Sequence, residues 1–548
     1  MYFHLLKNVD NAFSKCDFQR LTIKKAFLRI LMKENLFKKA LLDPDIFTVT
    51  WELVPGRGAR ETTQDNLLAL ARQAAAGKTI HALSLTDNPG GTPAMSADFM
   101  GIEILKMGIE PLVHFTCKDK NRSALESQLY ALDRAGVRNL LVMSGDYPVA
   151  GFQGRPAPVF DFDPVHALEL ISAMNKGMES PGPKGVIRQK PGDFFAGAVV
   201  SPFKATEAEQ MAQYYKLKKK IAAGAQFIVT QLGYDVRKIH EAFLFMKQSG
   251  FNVPIVGNIY ILPYGAARMM NNNELPGSVV TDKLLMDLSR EQKETDKGVA
   301  ARMLRAARMY AIMKGIGFNG VHIGGHNIKY EQVQEIIRQG ETLAPKWREL
   351  IKYFDYPMEN GFYYFEHDPQ TGLNKETLFN RKAAKASAKL EISYGISRFF
   401  HTLMFEPGKK LYGLMKAISR KIAASKLVNL FHKLEHLTKV LIFDCKDCGD
   451  CALIDIAYLC PMSQCPKNQR NGACGGSFLG WCEVYPFKKQ CIYVRAYARL
   501  KKYGQEAQLG QNIVPPCDWD LHQSSSWLNF YLGKDHTAKK QDNHPPGK

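Results

Sequence analysis

Short apolar runs alternate with longer segments between about residues 46 and 345, and in the longer segments apolar residues recur every three or four positions. Short runs bounded by turn residues predict buried strands, and the longer period predicts amphipathic helices. Eight β–α units over about 300 residues are typical of a closed parallel (β/α)8 TIM barrel, an α/β fold, rather than of an open sheet. The candidate strands begin at Phe47, Ile80, Pro111, Arg138, Gly197, Phe227, Pro254 and Gly320.

Several segments lie outside this regular alternation. Residues 1–45 are basic and predict an amphipathic helical extension, and residues 346–440 predict a mostly helical, basic connector. A cysteine-rich segment follows over residues 441–532, and the polar tail 533–548 is predicted to be disordered. Between the fourth and fifth strands, the Pro/Gly-containing stretch 151–193 predicts a helix with flanking loops.

Charge and length limit the class of protein. The 548 residues are enough for two or three domains, and the formal net charge is +20. The sequence has no apolar run long enough for a membrane span and no secretory signal, so we expect a cytoplasmic protein. Much of the basic excess lies in residues 21–42 and 409–439, which predict solvated helix faces or, alternatively, docking to a membrane surface or an acidic protein. No signature of nucleic-acid binding occurs.

The cysteines are concentrated in one segment. Of the 11 cysteines, only Cys16 and Cys117 precede it. In a reducing compartment such clustering predicts metal ligation rather than disulfides. The C-x2-C-x2-C spacing followed by Cys460-Pro461 favours a [4Fe–4S] cluster, with zinc as the alternative, and eight thiolates could fill two sites. Cys117 and Cys517 are not expected to bind metal. The candidate ligands are Cys445, Cys448, Cys451, Cys460, Cys465, Cys474, Cys482 and Cys491.

Polar residues stand at the ends of the predicted strands. The carboxyl ends of barrel strands form the active-site face of TIM-barrel enzymes, so these residues are the candidates for chemistry. They are Glu52, Thr86, Asp87, His114, Thr116, Asp146 and Gln231.

Five segments at or near these strand ends resemble, in the same order, the methylenetetrahydrofolate reductase family. They read WELVP, HFTC, SGDYP, KLKKKIAAGAQFIVTQLGYD and PIVGNIYIL. The resemblance covers roughly residues 46–335, and five collinear matches are far more specific than one. The cysteine-rich segment is similar to the C-terminal domain of certain bacterial members, or to the small partner subunit of the acetogen enzymes.

The resemblance implies a flavin-dependent oxidoreductase of one-carbon metabolism that reduces 5,10-methylenetetrahydrofolate to 5-methyltetrahydrofolate. Glu52 matches the general acid that protonates the leaving nitrogen N10 of the folate. Asp146 matches a carboxylate that tunes the flavin and stabilises the developing cation. Gln231 matches the glutamine that binds the pterin ring.

The resemblance also implies the residues that contact the flavin. Ser144 stands where the family usually has arginine, which leaves FAD or FMN open. The electron donor is likewise open between NADH, NADPH and a protein such as reduced ferredoxin, and a homo-oligomer or a larger complex is expected. Lys219 and Lys220 could instead form a solvated helix face. The implied flavin contacts are Thr86, His114, Ser144, Gly145, Asp146, Lys219 and Lys220.

Two other functions are compatible with these patterns. The chain could be a reductase or scaffold subunit of a larger electron-transfer complex, or a folate-dependent methyltransferase that needs no flavin. The product could feed methionine biosynthesis or a carbon-fixation route. The presence of Glu52, Asp146 and Gln231 argues against a degenerate barrel.

Overall fold

Eight parallel strands close into a barrel in the computed structural model, which describes residues 34–379, 392–409 and 411–538. The strand order around the barrel is β1-β10-β9-β8-β7-β4-β3-β2, so the predicted TIM barrel is confirmed. Each of the eight predicted runs coincides with one barrel strand. The strands are β1 Thr48–Leu53, β2 Ala82–Leu85, β3 Glu110–Thr116, β4 Asn139–Met143, β7 Phe195–Val200, β8 Phe227–Thr230, β9 Ile255–Tyr260 and β10 Gly320–Gly324.

Helices surround the barrel and cover the outer faces of its strands. The last strand pairs with the first, for example Val49 with Val321, which closes the cylinder without a free edge. The helices that accompany the barrel are α1 Leu36–Leu42, α2 Thr62–Gly77, α3 Ala97–Lys106, α4 Arg122–Ala135, α5 Pro164–Lys176, α6 Glu207–Ala222, α7 Val236–Gln248, α8 Tyr264–Asn271, α9 Asp282–Glu291, α10 Val299–Ile316, α11 Tyr330–Leu343 and α12 Trp347–Leu350.

The short helix α1 closes the amino-terminal end of the barrel. Its Phe37 is fully buried and meets Phe195 and Phe227 edge-on, with ring centroids 5.9 and 5.6 Å apart. Asn35 caps the helix through Lys38 N and donates to Asn139 at 2.7 Å. This part of the predicted extension therefore belongs to the barrel core. Its apolar residues have the spacing of one face of a surface helix, but they fill the amino-terminal end of the barrel. Residues 1–33 lie outside the described residues.

Two hairpins interrupt segments for which the sequence predicted only helix and loop. β5 Glu179–Gly182 pairs with β6 Gly185–Arg188 on the surface after α5. β11 Phe365–Asp368 pairs with β12 Leu373–Phe379 within the predicted connector, where Asn374 donates to the Arg237 carbonyl oxygen at 2.7 Å. The prediction of a mostly helical connector was therefore incomplete. Its helices are α13 Ile392–Met404, α14 Tyr412–Ala423 and α15 Val428–Phe443.

The remaining residues form a compact unit, here called the cysteine module, residues 444–538. Its α-helices are α16 Pro461–Gln464, α17 Ile492–Lys501 and α18 Ser526–Tyr531. The prediction of a disordered tail was wrong for residues 533–538, because Asp535 and His536 are buried there and His536 pairs with Asp450 at 2.5 Å. Residues 539–548 lie outside the described residues. None of the described helices is long and apolar enough to cross a bilayer.

Candidate functional site

Glu52 lies at the carboxyl end of β1 with two histidines around it. Its Oε2 is 3.6 Å from His322 Nε2 on β10, and atoms of Glu52, His114 and His322 all lie within 4.8 Å of one another. Each histidine is held from behind by a hydroxyl, since Thr50 Oγ1 is 2.8 Å from His322 Nδ1 and Ser84 Oγ is 2.8 Å from His114 Nε2. The carboxylate is therefore fixed at the mouth of the barrel, the ring of loops that follows the carboxyl ends of the strands.

Burial and charge act in opposite directions on this cluster. Burial alone would raise the pKa of Glu52, but the hydrogen bond and charge of His322 are the main effects that outweigh it and lower the pKa. Burial lowers the pKa of His114 to about 4, so this imidazole is neutral near pH 7. Glu52 thus has a nearby imidazole, His322, with which it can share a proton.

The loop after β2 offers polar groups at the mouth. Thr86 is buried and its hydroxyl oxygen has no hydrogen-bond partner among the described residues, which is costly unless a ligand supplies one. Asp87 accepts from Thr116 at 2.5 Å and from Lys120 at 2.9 Å. The unsatisfied hydroxyl of Thr86 fits a bound ligand with a hydrogen-bonding edge, such as a flavin.

The Ser144-Gly145-Asp146 loop follows β4 and lies across the mouth from Glu52. Gly145 has a φ of +79°, and a Cβ there would meet the Lys118 side chain at 2.6 Å, so only glycine fits. Asp146 is exposed and accepts from Gly90 N at 2.7 Å, which links this loop to the one after β2. The absence of a side chain at Gly145 therefore lets the Lys118 side chain pack against this loop.

Gln231 follows β8 and lies where the barrel meets the cysteine module. Its Oε1 accepts from Leu232 N at 2.9 Å. A Cβ added to Gly277 would lie 3.6 Å from Gln231 Nε2 and 3.5 Å from the Gly475 carbonyl oxygen. Three chain segments thus converge beside the amide of Gln231.

Lys219 and Lys220 lie in the last turn of α6, in the layer outside β7. Both are buried, so the alternative of a solvated helix face is wrong. Lys220 Nζ donates to the Val199 carbonyl oxygen at 2.6 Å. Burial, followed by the charge of Lys216, lowers the pKa of Lys220 to about 7. Lys220 is therefore held against the backbone of β7.

The cysteine module is docked on the mouth of the barrel through buried polar contacts. Lys467 Nζ donates to the Gly145 carbonyl oxygen at 2.8 Å and pairs with Glu483 at 2.5 Å. Ser144 Oγ lies 3.1 Å from Gln469 Oε1, which also accepts from Lys216 Nζ at 2.6 Å. The loop implied in flavin binding therefore rests directly on the module.

Further contacts tie the module to the loops after β4 and β7. Asp163 accepts from Arg470 N at 3.1 Å and from Asn471 N at 2.8 Å. Lys204 donates to the carbonyl oxygens of Gly475 and Ser477 at 2.5 and 2.7 Å. Because all these groups are buried, separating the module from the barrel would leave several charges unpaired.

The first cysteine group lines a small cavity next to α15. Lys439 is buried there, with Nζ 3.5 Å from Cys451 Sγ and 2.6 Å from Ser526 Oγ. Asp447 N donates to Cys445 Sγ at 3.4 Å. Such donors stabilise thiolates, as metal sites require. The group consists of Cys445, Cys448, Cys451 and Cys460.

The second cysteine group lines a separate small cavity closer to the mouth. Main-chain N–H groups of Lys467 and Gln469 donate to the Cys465 sulfur, and those of Tyr493 and Val494 to the Cys491 sulfur. The eight predicted ligands therefore divide into two sets of four. The second group consists of Cys465, Cys474, Cys482 and Cys491.

The spacing of the sulfurs bears on which centre could fit. Four thiolates around one zinc ion lie about 3.8 Å apart, given a Zn–S bond of about 2.3 Å. Among the described residues, no three cysteine sulfurs lie within 4.8 Å of one another. Each group offers four sulfurs, the number that a tetrahedral zinc ion or a [4Fe–4S] cluster takes. Cys517 is buried beside Cys448 but outside either set of four, and Cys117 packs in the barrel core.

Sequence reasoning missed several groups at this site. His322 stands inside a predicted strand, GVHIGG, but its position opposite Glu52 requires the barrel to close first. Lys204, Lys216 and Lys467 could not be assigned from the sequence, because their partners lie hundreds of residues away.

The fold and the site define a class: a (β/α)8 barrel with an acid–imidazole cluster at its mouth and a cysteine module seated on that mouth. The family model of methylenetetrahydrofolate reductase matches residues 38–340, and that of the methylene-tetrahydrofolate reductase C terminal matches residues 425–520. The chain belongs to the methylenetetrahydrofolate reductase family.

Curated relatives agree with this assignment at low identity. Methylenetetrahydrofolate reductase 2 of Schizosaccharomyces pombe is 24% identical over 263 residues, 44% of this chain and 37% of that protein. Methylenetetrahydrofolate reductase 2 of Saccharomyces cerevisiae is 27% identical over 184 residues, 32% of this chain and 28% of that protein. The 5,10-methylenetetrahydrofolate reductase of Pectobacterium carotovorum is 27% identical over 228 residues, 40% of this chain and 65% of that protein. In each comparison the matched part spans less than two thirds of the relative.

Proposed function

We propose that this chain reduces 5,10-methylenetetrahydrofolate to 5-methyltetrahydrofolate at the mouth of the barrel. The observation that carries the proposal is the position of Glu52, a carboxyl group at the end of β1 that is held 3.6 Å from His322. Opening the ring between N5 and N10 of the folate requires a proton on N10. Glu52 is the acid that delivers it.

The proton balance of Glu52 depends on His322. A carboxyl group whose pKa is lowered is mostly ionised near pH 7, so it needs a source of protons before it can act as an acid. His322 has one nitrogen towards Glu52 and the other towards Thr50, and can pass a proton to the carboxylate. His114 remains neutral and contributes a hydrogen-bonding edge without charge.

The flavin, FAD or FMN, would be held by the loops after β2, β3 and β4. The fit is supported by the buried hydroxyl of Thr86, which has no hydrogen-bond partner among the described residues. When bound, the flavin supplies the hydride that the methylene carbon receives. Asp146 would orient the loop and add negative charge near the cation that develops on the folate, and Gln231 would bind the pterin ring.

We propose further that each cysteine group binds one [4Fe–4S] cluster, so that the module carries electrons to the flavin from an external donor. The C-x2-C-x2-C spacing followed by Cys460-Pro461 supports a cluster rather than zinc. The buried Lys204, Lys216 and Lys467 support an anionic metal–thiolate centre in the second group, because they offset its negative charge. The contact between Lys467 and Gly145 supports a short path to the flavin.

An absorption spectrum of the purified protein under anaerobic conditions tests this function. We expect two resolved visible flavin bands on a broad iron–sulfur absorbance, and bleaching of the flavin bands by a reductant followed by their return on addition of 5,10-methylenetetrahydrofolate. A colourless protein that binds folate would instead indicate the flavin-free methyltransferase. Flavin bands without the broad absorbance would remove the electron-carrying role of the module.

A further inference from the structure

Helix α15 carries a stripe of exposed leucines. They follow one another at intervals of three and four residues, so they lie on one face of the helix. Their side chains are 56 to 79% exposed, although leucine is normally among the most buried residues. The opposite face of α15 is buried, where Glu435 and Lys439 contact Ser525 and Ser526. The leucine stripe consists of Leu427, Leu430, Leu434, Leu437 and Leu441.

Exposed apolar residues continue on the neighbouring helices. Phe399 and Phe400 of α13 are 64 and 51% exposed, and Leu414 of α14 is 55% exposed. An apolar groove runs between α13 and α15, lined by Phe400 and Ile442 among others. Three successive helices therefore present apolar side chains to solvent. The exposed apolar area is larger than scattered surface residues would give.

Positive charge accompanies this apolar surface. Arg420, Lys421, Lys426 and Lys433 are exposed on or between α14 and α15. Over the described residues from 392 to 443 the acidic side chains are Glu406 and Glu435, and Glu435 is buried against Lys439. The accessible charge beside the leucine stripe is therefore almost entirely positive.

The positive charge and the width of this apolar surface together indicate which kind of partner binds to it. A second copy of the chain would bring the same positive residues against this face, and the pairing would be repulsive. A single partner helix would cover the leucine stripe but leave Phe399 and Leu414 on the other helices exposed. An anionic lipid bilayer accepts apolar side chains across a wide area and binds lysine and arginine at its phosphate groups.

We propose that the helical face formed by α13, α14 and α15 binds the surface of a membrane that contains anionic phospholipids. The leucine stripe and the phenylalanines insert among the acyl chains, while Lys426 and Lys433 bind lipid phosphates. Cys451 lines the same groove as Ile442, so this orientation brings the first cysteine group towards the membrane surface.

Flotation with lipid vesicles tests the proposal on the full-length protein. We expect the chain to float with vesicles of phosphatidylcholine and phosphatidylglycerol and to remain unbound with phosphatidylcholine alone, a difference of about tenfold or more at low salt. Bound protein should fall as salt is raised, because the phosphate contacts are screened.

Two variants with matched controls separate the apolar from the ionic part. Leu430→Glu combined with Leu437→Glu should abolish flotation, whereas Val186→Glu, at an exposed apolar position on β6, should leave it unchanged. Lys426→Glu combined with Lys433→Glu should reduce binding to anionic vesicles, and Lys184→Glu on the same surface hairpin as Val186 should not. Circular dichroism of each variant verifies that it is folded.

Three outcomes would overturn the proposal. These are a folded protein that floats with neither vesicle, equal binding of the leucine variant and the parent, and a dimer in light scattering that the leucine variant dissociates. The last result would assign the face to a second copy of the chain, and capture of an acidic protein in place of vesicles would assign it to a protein partner.

Discussion

His322 Nε2 of β10 lies 3.6 Å from Glu52 Oε2 of β1, across the seam where the last strand pairs with the first. Closure of the barrel makes this pair, because the two residues are far apart in the sequence. The imidazole is the main group that lowers the pKa of Glu52 against the effect of burial. The pair therefore controls when the carboxyl group carries a proton.

Replacement of His322 by asparagine should raise the pKa of Glu52, because burial remains while the charge and the hydrogen bond are lost. If Glu52 is the acid, folate reduction falls as Glu52 loses its proton, so the alkaline limb of the pH–rate profile should move to higher pH. The exposed His367→Asn should leave the profile unchanged. A limb that stays in place or moves to lower pH would contradict the effect of His322 on Glu52.

The two cysteine groups should bind metal independently. We expect the anaerobically purified protein to contain about eight iron atoms per chain, and Cys448→Ser or Cys474→Ser to remove about four each. Cys117→Ala, in the barrel core, should keep the full iron content. Elemental analysis by mass spectrometry measures this directly. Two equivalents of zinc without iron would contradict the cluster assignment.

Phe37 should contribute strongly to stability, since it plugs the amino-terminal end of the barrel and is fully buried. Phe37→Ala leaves a cavity beside Phe195 and Phe227 and should lower the free energy of unfolding by about 3–5 kcal/mol. Leu36→Ala, one residue earlier and 46% exposed, should change it by less than about 1 kcal/mol. Denaturant unfolding checks both values. Equal effects of the two substitutions would show that α1 does not close the barrel.

His536 should make the stability of the module depend on pH. Its ring lies between Asp450 and Asp455, which raise its pKa from 6.5 to about 9 although burial opposes them. A raised pKa in the folded state stabilises the protein fully below about pH 6.5, and this stabilisation is lost as pH rises through about 9.

The corresponding variant is His536→Asn. It should be destabilised on the order of 3 kcal/mol near pH 6 and clearly less near pH 10, whereas the exposed His522→Asn should show no such dependence. Thermal unfolding at the two pH values tests this. A loss that is the same at both pH values would mean that the ring acts by packing alone.

The barrel could be predicted from sequence because each strand has a recognisable local pattern of apolar residues. An apolar run such as Phe227 onwards is short, bounded by turn residues and followed by a helical pattern. The carboxyl end of each strand then identifies the candidate residues, as for Glu52 and Gln231. What local pattern cannot give is the surface that a helix covers: α1 resembles a solvated helix, yet Phe37 is in the core.

The docking of the module could not be predicted for the same reason. Lys467 looks like a solvated charge within CPKNQR, and only the folded chain brings it to the Gly145 carbonyl oxygen, 322 residues away. Cysteine spacing singled out the eight cysteines that line two cavities, and their role as ligands stays a prediction, but their division into two groups of four depends on the fold of the module. The order of residues 533–538 likewise depends on Asp450, whose partner His536 is distant in sequence.

The role of Glu52 as the acid that protonates the folate is tested by the oxidative half-reaction of a Glu52→Gln variant. This reaction is followed in a stopped-flow spectrometer under anaerobic conditions. The amide keeps the size of the side chain but cannot donate the proton that opens the folate ring. We predict that the variant binds and reduces its flavin normally, and that reoxidation by 5,10-methylenetetrahydrofolate slows by at least about a hundredfold. Reoxidation at the parental rate would contradict the role of Glu52, and with it the assignment of the reaction to this face of the barrel.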